Sequence, residues 1–148
     1  MRGAGSEEPD LKIAGLQVWV HGREFPDAAD YWDGNWLRVT ARCKYAGAQV
    51  EIEGPLVHLA ELGRFVSGCE RLYQALEGSA GLDCIEPNLR VQLSASDKAG
   101  HISIVISITP DHMCQEHVFR DEVDQTFLPS IVESARGILN RYPVRGRP

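Results

Sequence analysis

The sequence predicts an α+β fold: a mostly antiparallel sheet of about six to seven strands with two helices packed on one face, in the order βββ-α-ββββ-α. Three observations lead to this prediction. Runs of alternating apolar and polar residues come in pairs joined by short turns, as in hairpins. Two longer stretches carry apolar residues three and four positions apart, as in amphipathic helices. The 148 residues, 43% of them hydrophobic, suit one domain with one core.

The first three predicted strands lie near the N-terminus. Residues 16–21 carry aliphatic side chains at even positions. Over residues 36–45 one face is apolar and the other cationic, and residues 48–52 continue the alternation after a short turn. If the last two strands form a hairpin, cationic and anionic side chains lie across from one another. These are Arg38, Arg42 and Lys44 on one strand and Glu51 and Glu53 on the other.

A helix and a short strand follow. From His58 an apolar stripe at steps of three and four predicts a helix, and Gly78 is a plausible stop. A strand is then expected over residues 82–86, where Pro87 ends it.

The last four elements begin with the clearest hairpin of the chain. Residues 89–95 and 102–108 alternate strictly and flank a short turn, and the second run places four isoleucines on one face. Residues 113–123 indicate another strand. A helix should start near Pro129, after Asp124, Gln125 or Thr126 as a cap, and stop at Pro143.

The chain ends set the predicted domain limits. Residues 1–10 are expected to form a disordered tail, residues 11–142 a single α+β domain, and residues 143–148 a loose basic tail. No apolar run follows Arg2, as a secretory signal would require, and the four cysteines form no Cys-x-x-Cys pair. We therefore expect a cytoplasmic protein with reduced thiols.

Net charge limits the class of partner. The chain has 21 acidic and 15 basic residues, which gives a formal charge of −6. A nucleic-acid-binding domain usually carries a basic face, so no direct nucleic-acid contact is expected. The longest uncharged run, residues 102–110, is far too short for a membrane helix, which needs about 20 residues. An acidic protein of this kind fits a basic protein partner.

The densest group of potential metal ligands is residues 111–117. On a strand, His112, Cys114 and Glu116 would point one way and His117 the other, and no second spaced pair of ligands exists. Cys114, His117 and Asp124 are residue types of nucleophilic catalysis, but no nucleophile elbow, P-loop or dinucleotide motif is present. We therefore expect no metal, no cofactor and no enzymatic activity, with a small hydrolase as the third-ranked function.

The most unusual stretch is the aromatic–acidic segment, Phe25 to Trp36. Either its aromatic side chains cap the core while its aspartates cap turns, or it forms a recognition patch. Tryptophan and tyrosine are enriched among interface hot spots, and carboxylates attract basic partners. The predicted partner-binding residues are Asp27, Asp30, Tyr31, Trp32, Asp33, Asn35 and Trp36. The exposed sheet face with His101, Ser103, Ser107 and Thr109 is the second candidate surface.

Several stretches together resemble the WapI-type immunity proteins, a bacterial family of about this length. They are Phe25-Pro26, residues 30–37 (DYWDGNWL), Glu86-Pro87, residues 108–112 (ITPDH), residues 115–117 (QEH) and residues 124–128 (DQTFL). The resemblance runs from about Leu11 to Gly146.

This resemblance implies a small cytoplasmic antitoxin that acts by stoichiometric binding. Its partner would be the C-terminal toxin domain of a contact-dependent polymorphic toxin, in the namesake system a nuclease acting on tRNA. The alternative function is a non-enzymatic protein-interaction domain unrelated to toxins.

Overall fold

The protein's computed structural model describes residues 7–148, in which two helices and eight strands form an α+β fold. The strands are β1 (Leu11–Ile13), β2 (Leu16–Arg23), β3 (Trp36–Tyr45), β4 (Ala48–His58), β5 (Ser79–Asp83), β6 (Leu89–Ala95), β7 (His101–Ile108) and β8 (Val118–Asp124). The helices are α1 (Leu59–Ala75) and α2 (Leu128–Arg141), and one 3₁₀ turn, Gln125–Phe127, precedes α2. Residues 1–6, part of the predicted N-terminal tail, lie outside the described residues.

The strands form two four-stranded antiparallel sheets, so the predicted single sheet of six to seven strands is wrong. Sheet 1 has the order β1-β2-β3-β4 and sheet 2 the order β5-β6-β7-β8. The predicted order of elements is otherwise kept, with β1 as an additional strand. Each sheet has one apolar face, and both faces contribute to one hydrophobic core. Two sheets that face each other bury both apolar faces at once.

Tyr45, at the end of β3, ties the two sheets together. Its ring stacks on Phe119 of β8, with 5.4 Å between ring centroids. Its hydroxyl donates to Asp121 Oδ2 at 2.9 Å and accepts from the Gly15 amide at 3.1 Å. Burial raises the pKa of Tyr45 to about 12, so the phenol stays protonated and keeps its donor for Asp121.

The prediction that both helices lie on one face of a single sheet is wrong, because there are two sheets and the helices contact both of them. α1 packs on β5 and on α2, and α2 also contacts β1 of the other sheet. A Cβ on Gly68 would lie 2.9 Å from Ala80 Cβ, so α1 approaches sheet 2 closely only because this residue is glycine. Neither helix within residues 7–148 has the length and apolar character that crossing a membrane requires.

Both predicted hairpins are confirmed. In β3–β4, Arg42 lies directly opposite Glu51 and Nε of Arg42 donates to its carboxylate at 2.9 Å. Arg38 pairs with Glu53 at 3.1 Å across the same strands. In β6–β7 the paired residues run from Leu89 opposite Ile108 to Ala95 opposite Ile102. All four isoleucines of β7 are buried.

Three predicted boundaries differ from the structure. β5 ends at Asp83, not Glu86, because the chain turns inward at Cys84, whose Sγ accepts a hydrogen bond from the backbone N–H of His58 at 3.3 Å. β8 begins at Val118 rather than Met113, since residues 111–117 form a turn and irregular chain. α1 ends at Ala75, before Leu76 in the left-handed region, and not at Gly78.

Candidate partner-binding surface

The aromatic–acidic segment leaves sheet 1 after β2 and returns to it at the start of β3. Between these strands the chain is a series of bends and turns. The seven predicted partner-binding residues are therefore close in space as well as in sequence, but they differ widely in exposure. Asp27, Asp30 and Asp33 are exposed, Trp32 is 56% exposed, Tyr31 and Trp36 are half-buried, and Asn35 is fully buried.

Asn35 is an internal brace rather than a surface residue. Its Nδ2 donates to the carbonyl oxygens of Tyr31 at 2.7 Å and Arg145 at 2.9 Å. Its Oδ1 accepts from the Arg145 amide at 2.8 Å and from Arg23 Nη1 at 3.4 Å. Its own carbonyl accepts from the Leu59 amide at 2.8 Å, at the start of α1. We therefore assign Asn35 a structural role, since no partner can reach its buried amide.

The C-terminal segment that the sequence predicts as a loose basic tail lies against this same region. Arg145 Nη1 donates to the carbonyl oxygens of Pro26 and Ala28, at 2.7 and 2.9 Å. From the other side, Arg23 Nη2 donates to the Pro143 carbonyl at 2.5 Å. Together with Asn35, these bonds clamp the chain terminus to the aromatic–acidic segment. We call the set the C-terminal clamp.

The clamp changes the charge of the patch. In the sequence, Asp27, Asp30 and Asp33 form an acidic cluster, and arginines gather more than 100 positions later at the C-terminus. The fold instead brings the guanidinium groups of Arg23 and Arg145 into the same segment, where both bind backbone carbonyls. The carboxylate of Asp30 also has a hydrogen bond within the segment, because its Oδ2 accepts from the Asp33 amide at 2.9 Å. The patch therefore combines three carboxylates with two neighbouring cations.

The aromatic side chains of the segment gather around His58, a residue that sequence reasoning did not single out. The ring centroid of His58 lies 5.5 Å from that of Tyr31, 6.1 Å from that of Trp32 and 5.0 Å from that of Trp36. Tyr31 and Trp32 themselves meet edge to face, with centroids 5.0 Å apart. Such perpendicular arrangements are favoured by the ring quadrupoles.

His58 is the N-cap of α1, and both nitrogens of its ring have hydrogen-bond partners. Its Nδ1 accepts from the Ala60 amide at 3.3 Å, and its Nε2 lies 3.3 Å from the Trp32 carbonyl oxygen. This pattern assigns the neutral tautomer with the proton on Nε2. Histidine is not one of the usual N-cap residues, so the sequence carried no cap signal at this position. Its proximity to Trp32 was not readable from sequence, since the two residues are far apart in the chain.

A pocket of about 200 Å³ opens between these aromatic rings and the start of α1. Trp32 and Ile85, which is 73% exposed, flank its mouth. Arg64 also lines it and pairs with Glu61 one helical turn away. We call it the aromatic pocket. Its lining residues are Tyr31, Trp32, Trp36, His58, Glu61, Arg64, Asp83 and Ile85.

The residues considered for a metal or for catalysis do not converge. Asp111 organises the 110–117 loop, where its Oδ1 accepts from the Met113 amide at 3.0 Å and its Oδ2 from Cys114 Sγ at 3.4 Å. Asp124 lies at the far end of β8, about 20 Å from His117 at ordinary strand rise. Within residues 7–148 no group of three or more His, Cys, Asp and Glu side chains could hold a metal ion. Because this loop is not a strand, the alternation argument against a metal site does not apply to it.

The second candidate surface is only partly available. His101 is exposed, and Ser103 and Ser107 are partly exposed on the outer face of β7. Thr109 is buried, and its hydroxyl accepts from the His117 amide at 3.2 Å. It therefore closes the base of the 110–117 loop and does not belong to this surface.

Comparison with known proteins gives one family and one fold. The model of the immunity protein WapI-like family matches residues 10–143, which include the aromatic–acidic segment and both sheets. No curated protein matches the chain.

Two solved structures are similar to this chain at low sequence identity. The plant transcriptional regulator PBF-2 is 13% identical, with a TM-score of 0.51 over 86% of this chain and 75% of that chain. WHY3 from Arabidopsis thaliana is 9% identical, with a TM-score of 0.48 over 86% of this chain and 81% of that chain. The likeness to PBF-2 is one of fold alone.

Proposed function

We propose that this chain, which belongs to the immunity protein WapI-like family, is an antitoxin that neutralises a cognate toxin by stoichiometric binding. The observation that carries the proposal is the family match over residues 10–143, which spans every helix and strand of the fold. An immunity protein of this kind acts without turnover, so the function needs no catalytic residue and no cofactor.

The partner we propose is the C-terminal toxin domain of a polymorphic toxin, with a nuclease as the favoured activity, met in the cytoplasm. Domains that grip a phosphate backbone tend to be basic. A protein with a net charge of −6 attracts such a surface and can associate with it quickly. Binding would occlude the surface that the nucleic acid needs, so that neutralisation follows from occupancy alone.

The aromatic–acidic segment is the surface that we propose for this contact. Trp32 is 56% exposed, and Asp27 and Asp33 carry exposed carboxylates in the same segment. A large exposed aromatic group beside carboxylates has the composition of an interface hot spot with an electrostatic rim. The C-terminal clamp holds the segment in one shape before the partner arrives, which lowers the entropic cost of binding.

Co-expression with a toxin domain encoded beside this chain tests the function. We expect the chain to restore growth and to form a one-to-one complex by calorimetry. Growth that stays arrested, with no complex formed, would contradict the proposal.

A charge-reversal pair then tests the surface. Asp27→Lys with Asp33→Lys should weaken toxin binding at least tenfold, because two attractive contacts become repulsive. Glu116→Lys with Glu133→Lys is the matched control, since it changes the net charge equally on other exposed positions. Equal losses in both double variants would mean that only the total charge matters and that the segment is not the contact surface.

A further inference from the structure

The geometry points to the aromatic pocket as a receptor for one lysine or arginine side chain of a basic partner protein. This inference rests on the proposed function for the identity of the partner, and it adds which chemical group the surface recognises. The pocket is described by its aromatic lining, the carboxylates that line it and the exposed side chains around it, and the aromatic lining is the feature that favours a cation.

The lining presents aromatic rings in several orientations. Tyr31 and Trp32 are nearly perpendicular, at 89°, and Trp36 and His58 are nearly so, at 82°. A flexible side chain entering between them meets both ring faces and ring edges. The face of an indole attracts a cation within about 6 Å of its centroid, and tryptophan is the strongest of the aromatic residues in this respect. His58 adds no opposing charge, because its Nδ1 is the acceptor for the Ala60 amide.

Carboxylates stand at the mouth of the pocket. Glu61 and Asp83 both line it, and each already has an arginine partner: Glu61 pairs with Arg64, and Asp83 pairs with Arg90 at 3.1 Å in an exposed contact. A partner cation would compete with these two arginines for the carboxylates. Arg64 already shows how a guanidinium fits this site: it donates to Glu61 at 3.0 Å through Nε and also contacts Tyr31. The hydrogen bond to Glu61 raises the pKa of Arg64. The contact with Tyr31 is a side-chain hydrogen bond. A partner cation would approach the same carboxylate and add a contact with the face of an indole ring.

Two exposed apolar side chains complete the surface. Trp32 and Ile85 are 56% and 73% exposed, although each is large and apolar. Contact with a partner would cover both and exclude water from a cation between them. Exclusion of water strengthens a cation–π contact from about 0.5–1 kcal/mol at an exposed site to about 2 kcal/mol or more.

The test uses small probes, so that it does not depend on any toxin. Nα-acetyl-arginine methylamide is titrated into the full chain, and Nα-acetyl-citrulline methylamide serves as the neutral isostere. The indole N–H signals of Trp32 and Trp36 are followed by NMR. Trp19, on β2 of sheet 1, is the internal control, because its ring is buried and its indole N–H donates to the Glu7 carbonyl. We expect the arginine probe to shift the indole N–H signals of Trp32 and Trp36 but not that of Trp19. The affinity for the citrulline probe should be at least fivefold lower.

Three variants then assign the charges. Glu61→Gln should lower the affinity for the arginine probe severalfold. Arg64→Gln should raise that affinity, because it removes the competing cation. Glu70→Gln is the matched control on the same helix, where Glu70 pairs with Arg136 away from the pocket, and it should change nothing. Circular dichroism and the unshifted Trp19 signal confirm that each variant is folded.

Three results would overturn the inference. The first is equal affinity for the arginine and citrulline probes. The second is tighter binding of Nα-acetyl-glutamate methylamide than of the arginine probe, with that binding lost in Arg64→Gln. The third is no shift of the Trp32 or Trp36 indole signal at 50 mM arginine probe. None of them bears on growth rescue by a toxin pair. Rescue without probe binding would leave the antitoxin function standing and reject the pocket, and probe binding without rescue would do the reverse.

Discussion

The aromatic–acidic segment and the 110–117 loop both carry residue types that are common in functional sites, but they are held in the fold by different kinds of contact. The aromatic–acidic segment is joined to the C-terminus by Asn35, Arg23 and Arg145 through bonds that span about 110 to 120 residues. The 110–117 loop is organised mainly by Asp111, which accepts bonds from residues two to four positions on. Metal-ligand residue types in the second loop therefore lie on a local turn, while the first loop forms a braced surface.

The difference shows what makes a loop usable for recognition. A surface binds well when its shape is set before the partner arrives, because ordering it on binding costs free energy. The clamp supplies that order to the aromatic–acidic segment, and His58 supplies a rigid base for its rings. The 110–117 loop has exposed side chains, among them Met113, without such a base.

Thiol reactivity should show the largest contrast. Burial raises the pKa of Cys43 and Cys84 to about 11 and that of Cys69 to about 12, whereas Cys114 is exposed in the 110–117 loop. At pH 8 an aromatic disulfide reagent should modify Cys114 at least about 10³-fold faster than the others, because a buried thiol must wait for an opening of the fold. Cys114→Ser should abolish the fast phase, and a second fast thiol would contradict the packing described here.

Loss of the buried amide should come next. Asn35→Ala leaves three partly buried polar groups without this partner, namely the carbonyls of Tyr31 and Arg145 and the Arg145 amide. We therefore expect the free energy of unfolding to fall by about 3 kcal/mol, near 100-fold in the folding equilibrium. Asn88→Ala is the comparison for the other loop, because Asn88, directly before β6, donates through Nδ2 to the carbonyl of Thr109 at 2.9 Å, where the 110–117 loop begins. Asn88→Ala should lower the free energy of unfolding by about 1 kcal/mol. Urea denaturation measures both, and equal losses would remove the distinction between the loops.

Deletion of residues 144–148 should have a smaller effect. It removes the Arg145 bonds but leaves the Arg23 bond to Pro143, so a loss of about 1–2 kcal/mol is expected. Hydrogen exchange should quicken at the amides of Asp33 and Gly34 and stay unchanged at that of Gln115, which donates to Asp111. Unchanged protection at Gly34 would show that the clamp does not order the segment. Arg145→Gln separates the side-chain bonds from the backbone ones.

Exposed apolar side chains should matter least for stability. Trp32→Ala and Met113→Ala should each change the free energy of unfolding by about 0.5 kcal/mol or less, since both side chains are mostly in water. Thermal unfolding would measure the change. If Trp32→Ala unfolds the segment, its ring is a structural anchor and not a contact for a partner. If it does not, any loss of partner affinity in this variant reports a lost contact.

Much of the fold could be predicted because alternation and helical spacing are local properties. The face of each residue in β3, the hairpin β6–β7 and the stripe of α1 all follow from the spacing of apolar residues. The last predicted strand is present as β8, but its expected start at Met113 was wrong, because Asp111 closes a turn that alternation does not reveal. The strand Leu11–Ile13 was missed, since three residues are too few to show a period.

The candidate site could be predicted only in part for a related reason. Tryptophans and aspartates within a few positions of one another mark a patch wherever the chain carries it. Neither the burial of Asn35 nor the ring of His58 has a local signature, because each depends on residues that arrive from elsewhere in the chain.

The sequence by itself determined which side chains turn inward, that strands come in hairpins, and that the chain belongs to an immunity protein family. The tertiary structure decided that the strands form two sheets instead of one. It also brought Arg145 to Asn35 and so turned a predicted acidic cluster into a braced surface of mixed charge. The physical reason is that a local pattern specifies the face of a residue, whereas its neighbours across the core depend on how distant segments pack to bury apolar area and satisfy buried hydrogen bonds.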